Sequence, residues 1–403
     1  MRINTIQTDI IIFGGGIAGL WALNRLKQLG YNVLLLENHT LGGGQTIKSQ
    51  GIIHGGLKYT LRGFLTPSAN SIEAMPHRWE ACLQGNGEID LCTVNRLSHH
   101  QLLFSTGKLV SDITNFFAQK TLRSRVKQLK RKEYPEILQK SEFKGTVYQL
   151  DEMILDIYSL IETLVKPHYS SLIKVESKEN IKIQFNQNNP KEIDYIELVN
   201  NNQTFHLKAK RYVFAAGEGN QALCDKLNNA PKMQLRPLHM VIVKLKTFFP
   251  LYAHCIDYGM TPRLTITSHT TQKGEPIWYL GGQLAEEGVT RTKEQQLEIA
   301  KKELHALFPW LELREATWAS FFVNRAEPEQ PGGKRPNSFD IQSIQNAFIA
   351  WPTKLALTPL LIDSLIDLLK QQGIIPSENL NTIPEFEKPA IALPVWDDIL
   401  FNQ

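Results

Sequence analysis

Three glycines and one acid form the first constellation in this sequence that could do chemistry. Gly14-Gly15-Gly16-Ile17-Ala18-Gly19 reads as G-x-G-x-x-G, and Glu37 follows about 20 residues later. In such a pattern Gly14 permits a tight turn, Gly16 lets the backbone approach a pyrophosphate, and Gly19 lets a helix pack closely on a sheet. The free N–H groups and positive end of that helix face the phosphates, and Glu37 can accept hydrogen bonds from both hydroxyls of an adenosine ribose. The competing reading is a glycine-rich turn without a ligand, so the elements on either side decide. Thr8–Phe13 is a continuous apolar run of the kind that forms a strand buried on both faces. Ile17–Leu29 reads as a helix, with Leu20, Leu23, Leu26 and Leu29 among its apolar positions and Gly30 as its stop. Asn32–Glu37 reads as the second strand, which completes the strand–turn–helix–strand context of a dinucleotide site.

The next segment chooses the dinucleotide. Leu41–Tyr59 contains Gly42, Gly43, Gly44, Gly51, Gly55 and Gly56, too many for an ordinary third unit of a nicotinamide domain. Small residues at this density let a backbone lie against a flat ring system, and the hydroxyls of Thr46 and Ser49 are placed to reach phosphate or ribityl oxygens. These features point to FAD.

With those residues in view, the chain resembles the D-amino-acid-oxidase-like superfamily of FAD-dependent oxidoreductases. His54-Gly55-Gly56-Leu57-Lys58-Tyr59 is similar to the HGGLRY segment of FAD-dependent glycerol-3-phosphate dehydrogenases and to the GVIHSGIYY segment of L-2-hydroxyglutarate dehydrogenases. Arg211–Gly219 looks like the family's late strand ending in AAG, here Ala215-Ala216-Gly217. Asn346–Pro359 resembles the strand–loop–helix that closes the flavin site, with Trp351-Pro352-Thr353-Lys354 where the family is glycine-rich. The resemblance runs from about Asp9 to about Leu369. It implies an α/β fold in which a Rossmann-like FAD-binding domain interleaves with an α+β substrate domain on a mixed or antiparallel sheet. The expected division is residues 1–90, 148–232 and 323–403 for FAD, and 91–147 and 233–322 for substrate. It also implies cofactor contacts from Gly14, Gly15, Gly16, Ile17, Ala18 and Gly19, from Glu37 and Asn38, and from Gln45, Thr46, Ser49, Gln50 and Gly51. Further cofactor contacts are expected from Ile181, from Ala216 and Gly217, and from Thr353, Lys354 and Leu355.

Oxidation of a C–H beside an alcohol or amine needs a hydride acceptor, a proton acceptor and positive charge near flavin N1 and C2=O. His54 is the first candidate for the proton, because its ordinary pKa suits a general base near neutrality. The alternatives are a satisfied structural histidine and, as in some superfamily members, a covalent flavin link at this point. His239 and His254 are weaker candidates. Thr353 and Lys354 are expected to open the C-terminal helix and bring charge to N1. Arg325 is expected to grip a substrate carboxylate or phosphate, with Arg263, Lys58 and Tyr59 behind it. Arg335 is the alternative, since Pro331-Gly332-Gly333 blurs the register. Trp278 and Tyr279 read as core aromatics.

The remaining pattern is plain. Strand-like runs at Met240–Leu245, Arg263–Thr267 and Ile277–Leu280, a turn at Gln272–Glu275, and a capping-box start at Thr292–Gln295 outline a sheet followed by a helix that Pro309 stops. The basic run Leu122–Lys132 is helix-compatible. It reads as a solvated face, with a membrane surface or polyanion as the alternative. The 403 residues carry a net charge of +4, which does not suggest a nucleic-acid binder. No apolar run spans a bilayer, and Met1–Asp9 has no secretory pattern, so a cytoplasmic protein is expected. Cys82, Cys92, Cys224 and Cys255 form no CxxC pair, and no metal is expected. The leading expectation is oxidation of a small anionic hydroxy acid or phosphorylated alcohol, passing electrons to oxygen, a quinone or another protein. Amino-acid or N-methyl-amine oxidation, an RNA-modifying flavoprotein and a non-catalytic flavin protein are the alternatives.

Overall fold

The computed structural model describes residues 4–56, 72–105, 126–176, 180–200, 203–256, 262–378 and 383–400. Among these, two large sheets dominate. The first has the order Asp340–Ile344 (β17), Ala347–Trp351 (β18), Gln203–Phe214 (β11), Asn4–Phe13 (β1), Val33–Glu37 (β2) and Leu172–Lys174 (β8), with Ile181–Phe185 (β9) and Ile193–Asn200 (β10) as an antiparallel extension on β11. The strands β18, β11, β1, β2 and β8 pair in parallel, and β1 is buried along its second half. Strand alternation explains its sequence. Ile10 and Ile12 join a core with the helix Ile17–Gln28 (α1) and the helix Thr358–Gln371, while Ile11 and Phe13 join a second core on the other face.

The second sheet has the order Thr317–Pro328 (β16), Met233–Lys244 (β12), Pro276–Gly281 (β15), Leu264–Thr270 (β14), Ala253–Cys255 (β13), Gln101–Ser105 (β4), Thr146–Leu150 (β6) and Val126–Gln128 (β5). It is mixed, because β13 and β4 run parallel and the other pairs antiparallel. Met240, Ile242, Ile277 and Tyr279 face the core shared with the first sheet. Val241, Val243, Trp278 and Leu280 face the helix Lys293–Leu307. Trp278 is therefore the core aromatic its spacing suggests. A two-stranded ribbon, Arg96–Ser98 (β3) with Ile154–Leu155 (β7), lies apart. The expected fold class, a Rossmann-like α/β domain interleaved with a sheet-based α+β domain, is the architecture found.

Several local expectations hold. Helix α1 ends at Leu29 before Gly30 (φ 86°), and Thr292 and Gln295 form the reciprocal cap of the Lys293–Leu307 helix. Others do not. The basic run is no helix where it is described: 126–128 is strand β5, and Arg131–Glu133 is a 3-10 turn whose Glu133 takes Lys127 and the Lys130 N–H. Pairing with β6 outweighs the local helix preference there. The boundaries expected at 148 and 323 fall inside β6 and β16, which belong to the second sheet throughout. Among the described residues no helix is long and apolar enough to cross a membrane.

Candidate active site

The glycine turn sits at the carboxyl end of β1. Gly14 has φ 101°, and a Cβ there would lie 2.6 Å from both Ala215 O and Ala216 Cα. A Cβ on Gly19 would overlap Gly14 O, so α1 rests directly on the turn. On Gly16 a Cβ would meet only Thr46 Oγ1, at 3.3 Å, which leaves an open cradle at the start of α1. Glu37 accepts from Gly15 N (2.6 Å) and His39 N (2.8 Å), with half-buried Asn38 between them. Ile17 N donates to Thr46 Oγ1 at 3.0 Å. The AAG loop closes the other side, where Ala216 N donates to Asn220 Oδ1 (2.8 Å) and Gly217 has φ 57°. Val175 N donates to Glu37 O at 2.8 Å. Val175 therefore stands beside the acid. Ile181 starts β9, paired with β10 at the sheet's edge. Val175 is one apolar residue past a three-residue strand, so no spacing marks it.

The segment after Gly42 crosses the second sheet strand by strand. Gln45 Oε1 accepts from Ala326 N on β16 (3.2 Å), and Lys48 O accepts from Tyr279 Oη on β15 (2.7 Å). Gln50 Nε2 donates to Tyr279 O (3.0 Å) and lies 3.4 Å from Thr265 O and Thr267 Oγ1 of β14. His54 then reaches β13, where its ring lies parallel to His254 with centroids 6.0 Å apart. Tyr279 is thus an anchor of this segment as well as a core aromatic. Gly51 has φ 71°, and a Cβ on it would overlap Leu155 O. That contact sits within a clamp between 51–53 and 153–155, made of Ile53 N to Met153 O, Leu155 N to Gly51 O (each 2.9 Å) and the Ile52–Ile154 bridge.

The clamp brings in a residue that no spacing reveals. Glu152, with 2% of its side chain exposed, accepts from Gly55 N at 2.9 Å and lies 3.2 Å from His54 Nδ1. His254 Nδ1 pairs with Thr265 Oγ1 at 2.9 Å. The ligand atoms of His54, Glu152 and His254 lie within 4.8 Å of one another. Sequence spacing cannot show such a group, because its members come from three separate segments.

The cationic candidates divide. Arg325 on β16 stands opposite Arg236 on β12. Its Nε donates to Arg236 O (3.2 Å), and its Nη1 lies 3.4 Å from Glu286. Burial, and then the charge of Arg236, push its pKa down to about 10; exposed Arg335 acts in the same direction. Arg236 instead takes buried Glu327 in a two-pronged pair (2.6 and 2.8 Å). Arg263 pairs with Glu303 on the Lys293–Leu307 helix. His239 is a satisfied structural histidine, held by Gly288 O and Ser320 Oγ at 2.9 Å each. Lys58 and Tyr59 lie outside the described residues. Thr353 and Lys354 do not open the C-terminal helix. Lys354 precedes a 3-10 turn, Leu355–Leu357, and the helix starts at Thr358. Lys354 is buried, and its N–H is taken by Pro352 O at 2.6 Å. Thr353 holds φ 56° and donates through Oγ1 to Ser338 O.

These residues fit a dinucleotide. The Gly16 cradle is open, and among the described residues Ser49 Oγ is buried without a hydrogen-bond partner. An unsatisfied buried hydroxyl is costly unless a ligand group meets it. Comparison with known proteins agrees. The family model for FAD dependent oxidoreductases (DAO) matches residues 9–337. PA4991 of Pseudomonas aeruginosa, named a probable FAD-dependent oxidoreductase, is 43% identical over 394 residues, 97% of this chain and 98% of its own. The crystal structure of PA4991 superposes with a TM-score of 0.84 over 99% of both chains, at 38% identity. Glycine oxidase from Geobacillus kaustophilus (TM-score 0.62, 16% identity, 93% and 97% covered) shares the fold. So does L-α-glycerophosphate oxidase from Mycoplasma pneumoniae, solved with FAD bound (0.62, 15%, 96% and 99%).

Proposed function

The chain belongs to the FAD dependent oxidoreductase family, with FAD as its cofactor, and from that premise we propose that it oxidises a small anionic hydroxy acid or phosphorylated alcohol. The dinucleotide would be held by the Gly14–Gly19 turn with Glu37 and Asn38, by Gln45, Thr46, Ser49, Gln50 and Gly51, by Ala216 and Gly217, and by 353–355. When bound, FAD supplies two-electron oxidation by accepting a hydride at flavin N5.

The observation that carries the substrate class is His54 beside the Glu152 carboxylate. An alcohol O–H is a far weaker acid than a substrate ammonium, so its oxidation gains most from a positioned base. Arg325 supports the anion. Its depressed pKa reflects a buried cation with too little compensating charge, which a carboxylate or phosphate would relieve. Four strand spacings separate β16 from β13, roughly 19 Å at about 4.8 Å each.

Anaerobic mixing with hydroxy acids, glycerol phosphate, amino acids and N-methyl amines, read by flavin bleaching, tests the substrate class. We expect a hydroxy acid or glycerol phosphate to bleach the flavin, and His54→Ala to keep FAD while slowing bleaching about a hundredfold. Bleaching by amines alone overturns the substrate class, and an unchanged rate in His54→Ala overturns the base.

A further inference from the structure

We propose that Glu152 is a positioning residue that fixes the tautomer of His54, holding the ring hydrogen on Nδ1 and leaving Nε2 as the basic nitrogen. The inference rests on the reading of His54 as the proton acceptor and names the group that prepares it.

The geometry leaves Glu152 little freedom. It lies one residue before Met153, whose carbonyl takes the Ile53 N–H, and two before Ile154, bridged to Ile52. The same clamp that presents His54 therefore presents Glu152, and Gly51 permits it because any side chain there would strike Leu155 O. One carboxylate oxygen takes the Gly55 N–H at 2.9 Å, and the other stands 3.2 Å from His54 Nδ1. A carboxylate only accepts hydrogen bonds. With one oxygen given to a backbone donor, the other is satisfied by an Nδ1–H and not by an Nδ1 lone pair. The proton-accepting capacity of the ring then resides on Nε2.

Burial sharpens the point. A carboxylate with 2% exposure is expensive to keep charged unless it is hydrogen-bonded, and stability alone would be served by an apolar residue. The imidazole it holds is 29% exposed, so the pair runs from the interior toward the surface. Among the described residues His254 is the titratable ring stacked near His54, and its Nδ1 side is committed to Thr265.

The holoprotein labelled with 15N-histidine provides the test. His54 is assigned by the signals lost in His54→Asn, at a pH where the ring is neutral. We expect an Nδ1–H signal and a non-protonated Nε2. In Glu152→Gln the one amide oxygen is needed by Gly55 N–H, which turns the NH2 toward His54 Nδ1, so the ring hydrogen should move to Nε2. The variant should also slow flavin bleaching about a hundredfold or more with FAD occupancy retained, and it should add nothing in the His54→Asn background. An Nε2–H tautomer in the unsubstituted protein overturns the proposal whether or not Glu152→Gln folds. So do a Glu152→Gln variant with unchanged tautomer and rate, and one equivalent of zinc that copurifies and is lost with Glu152→Gln, which would make the three side chains a metal site. If His54→Asn bleaches at the unsubstituted rate while the Nδ1–H tautomer is seen, the base assignment fails and the positioning by Glu152 stands.

Discussion

The two ends of the segment from Gly14 to Gly56 are built on opposite principles. At the glycine turn the contacts are backbone against backbone: Gly14 against Ala215 and Ala216, Gly19 against Gly14. At the histidine end they are side-chain pairs, His54 with Glu152 and His254 with Thr265. The first arrangement has no slack, because a methyl group has nowhere to go. The second can lose a side chain and keep its backbone, because the clamp between 51–53 and 153–155 is made of main-chain bonds. Damage at the turn should therefore cost cofactor and stability together, whereas loss of the His54 side chain at the other end should cost rate alone.

The largest expected effect breaks the first half of that contrast. Gly19→Ala would push α1 off the sheet, and overpacking against backbone costs about 3 kcal/mol or more. We expect the purified variant to be largely colourless, with a melting temperature lowered by several degrees. Gly44→Ala is the control, since a methyl group there would have nothing within 4 Å and its stability should stay within about 0.5 kcal/mol. A yellow, normally stable Gly19→Ala would show that the turn has slack after all.

Next in size are two arginines that differ in their company. Arg78 is held by Asp363 through two bonds (2.6 and 2.9 Å) and by Glu88 (2.8 Å). Despite burial, those carboxylates raise its pKa, whereas Arg325 is pushed the other way. A fully paired arginine serves structure, and an under-compensated one is ready for an anion. Arg325→Lys keeps the charge and loses the planar fork. We expect a substrate dissociation constant about thirtyfold higher, roughly 2 kcal/mol, with FAD occupancy unchanged. Arg78→Lys should lower the melting temperature and leave that constant alone. Should Arg335→Ala raise the constant instead, Arg335 holds the anion.

A smaller, pH-dependent effect belongs to the first sheet alone. Burial would raise the pKa of Asp9. The ion pair with Lys210 (2.8 Å) and the donors Asn32 N and Ser377 Oγ outweigh it and bring the pKa down to about 2. A carboxylate with a lowered folded-state pKa stabilises the fold above its unfolded value and loses that contribution as pH falls toward the folded one. Asp9→Asn should therefore be less stable at pH 7 by about 1–2 kcal/mol. The gap should close between about pH 4 and pH 2 in melting curves, with flavin bleaching unaffected. A gap that persists at pH 2 would assign the loss to hydrogen-bond geometry and not to charge.

What could be read from the sequence follows the same divide. The turn, α1, β1, β2 and Glu37 lie within 37 residues of the start, and each local rule used on them concerns neighbours in the chain. His54 was legible through its glycine-rich neighbours. Glu152 was not, because it sits 98 residues away and only the β-bridge makes it a partner. Arg263 and Arg325 look alike in sequence. Only the fold shows that Arg263 pairs with Glu303 on the Lys293–Leu307 helix while Arg325 stands opposite Arg236. Residues 126–128 of the basic run illustrate the reverse failure, a locally sound helix pattern overruled by pairing with β6.

Lys354 carries the smallest predicted effect, and the fold changes its argument. Had the C-terminal helix begun at Thr353, its free N–H groups could have supplied positive potential by themselves. The helix begins instead at Thr358, after a 3-10 turn, and the Lys354 N–H is already given to Pro352 O. Since the helix-end potential fades within about one turn, any positive charge delivered at 353–355 must come mainly from the ammonium of Lys354, which is buried at 8% exposure. Lys354→Met keeps the stem and removes the charge. We expect the flavin reduction potential to fall by about 30 mV, the two-electron equivalent of about 1.4 kcal/mol, and the sulfite adduct to weaken, with the melting temperature nearly unchanged. A potential and sulfite affinity equal to those of the unsubstituted protein would place the ammonium away from the flavin and leave 353–355 without an electrostatic role. A fall in potential whose free-energy equivalent exceeds the loss of affinity in Arg325→Lys would instead make the 353–355 loop the stronger electrostatic element of the site.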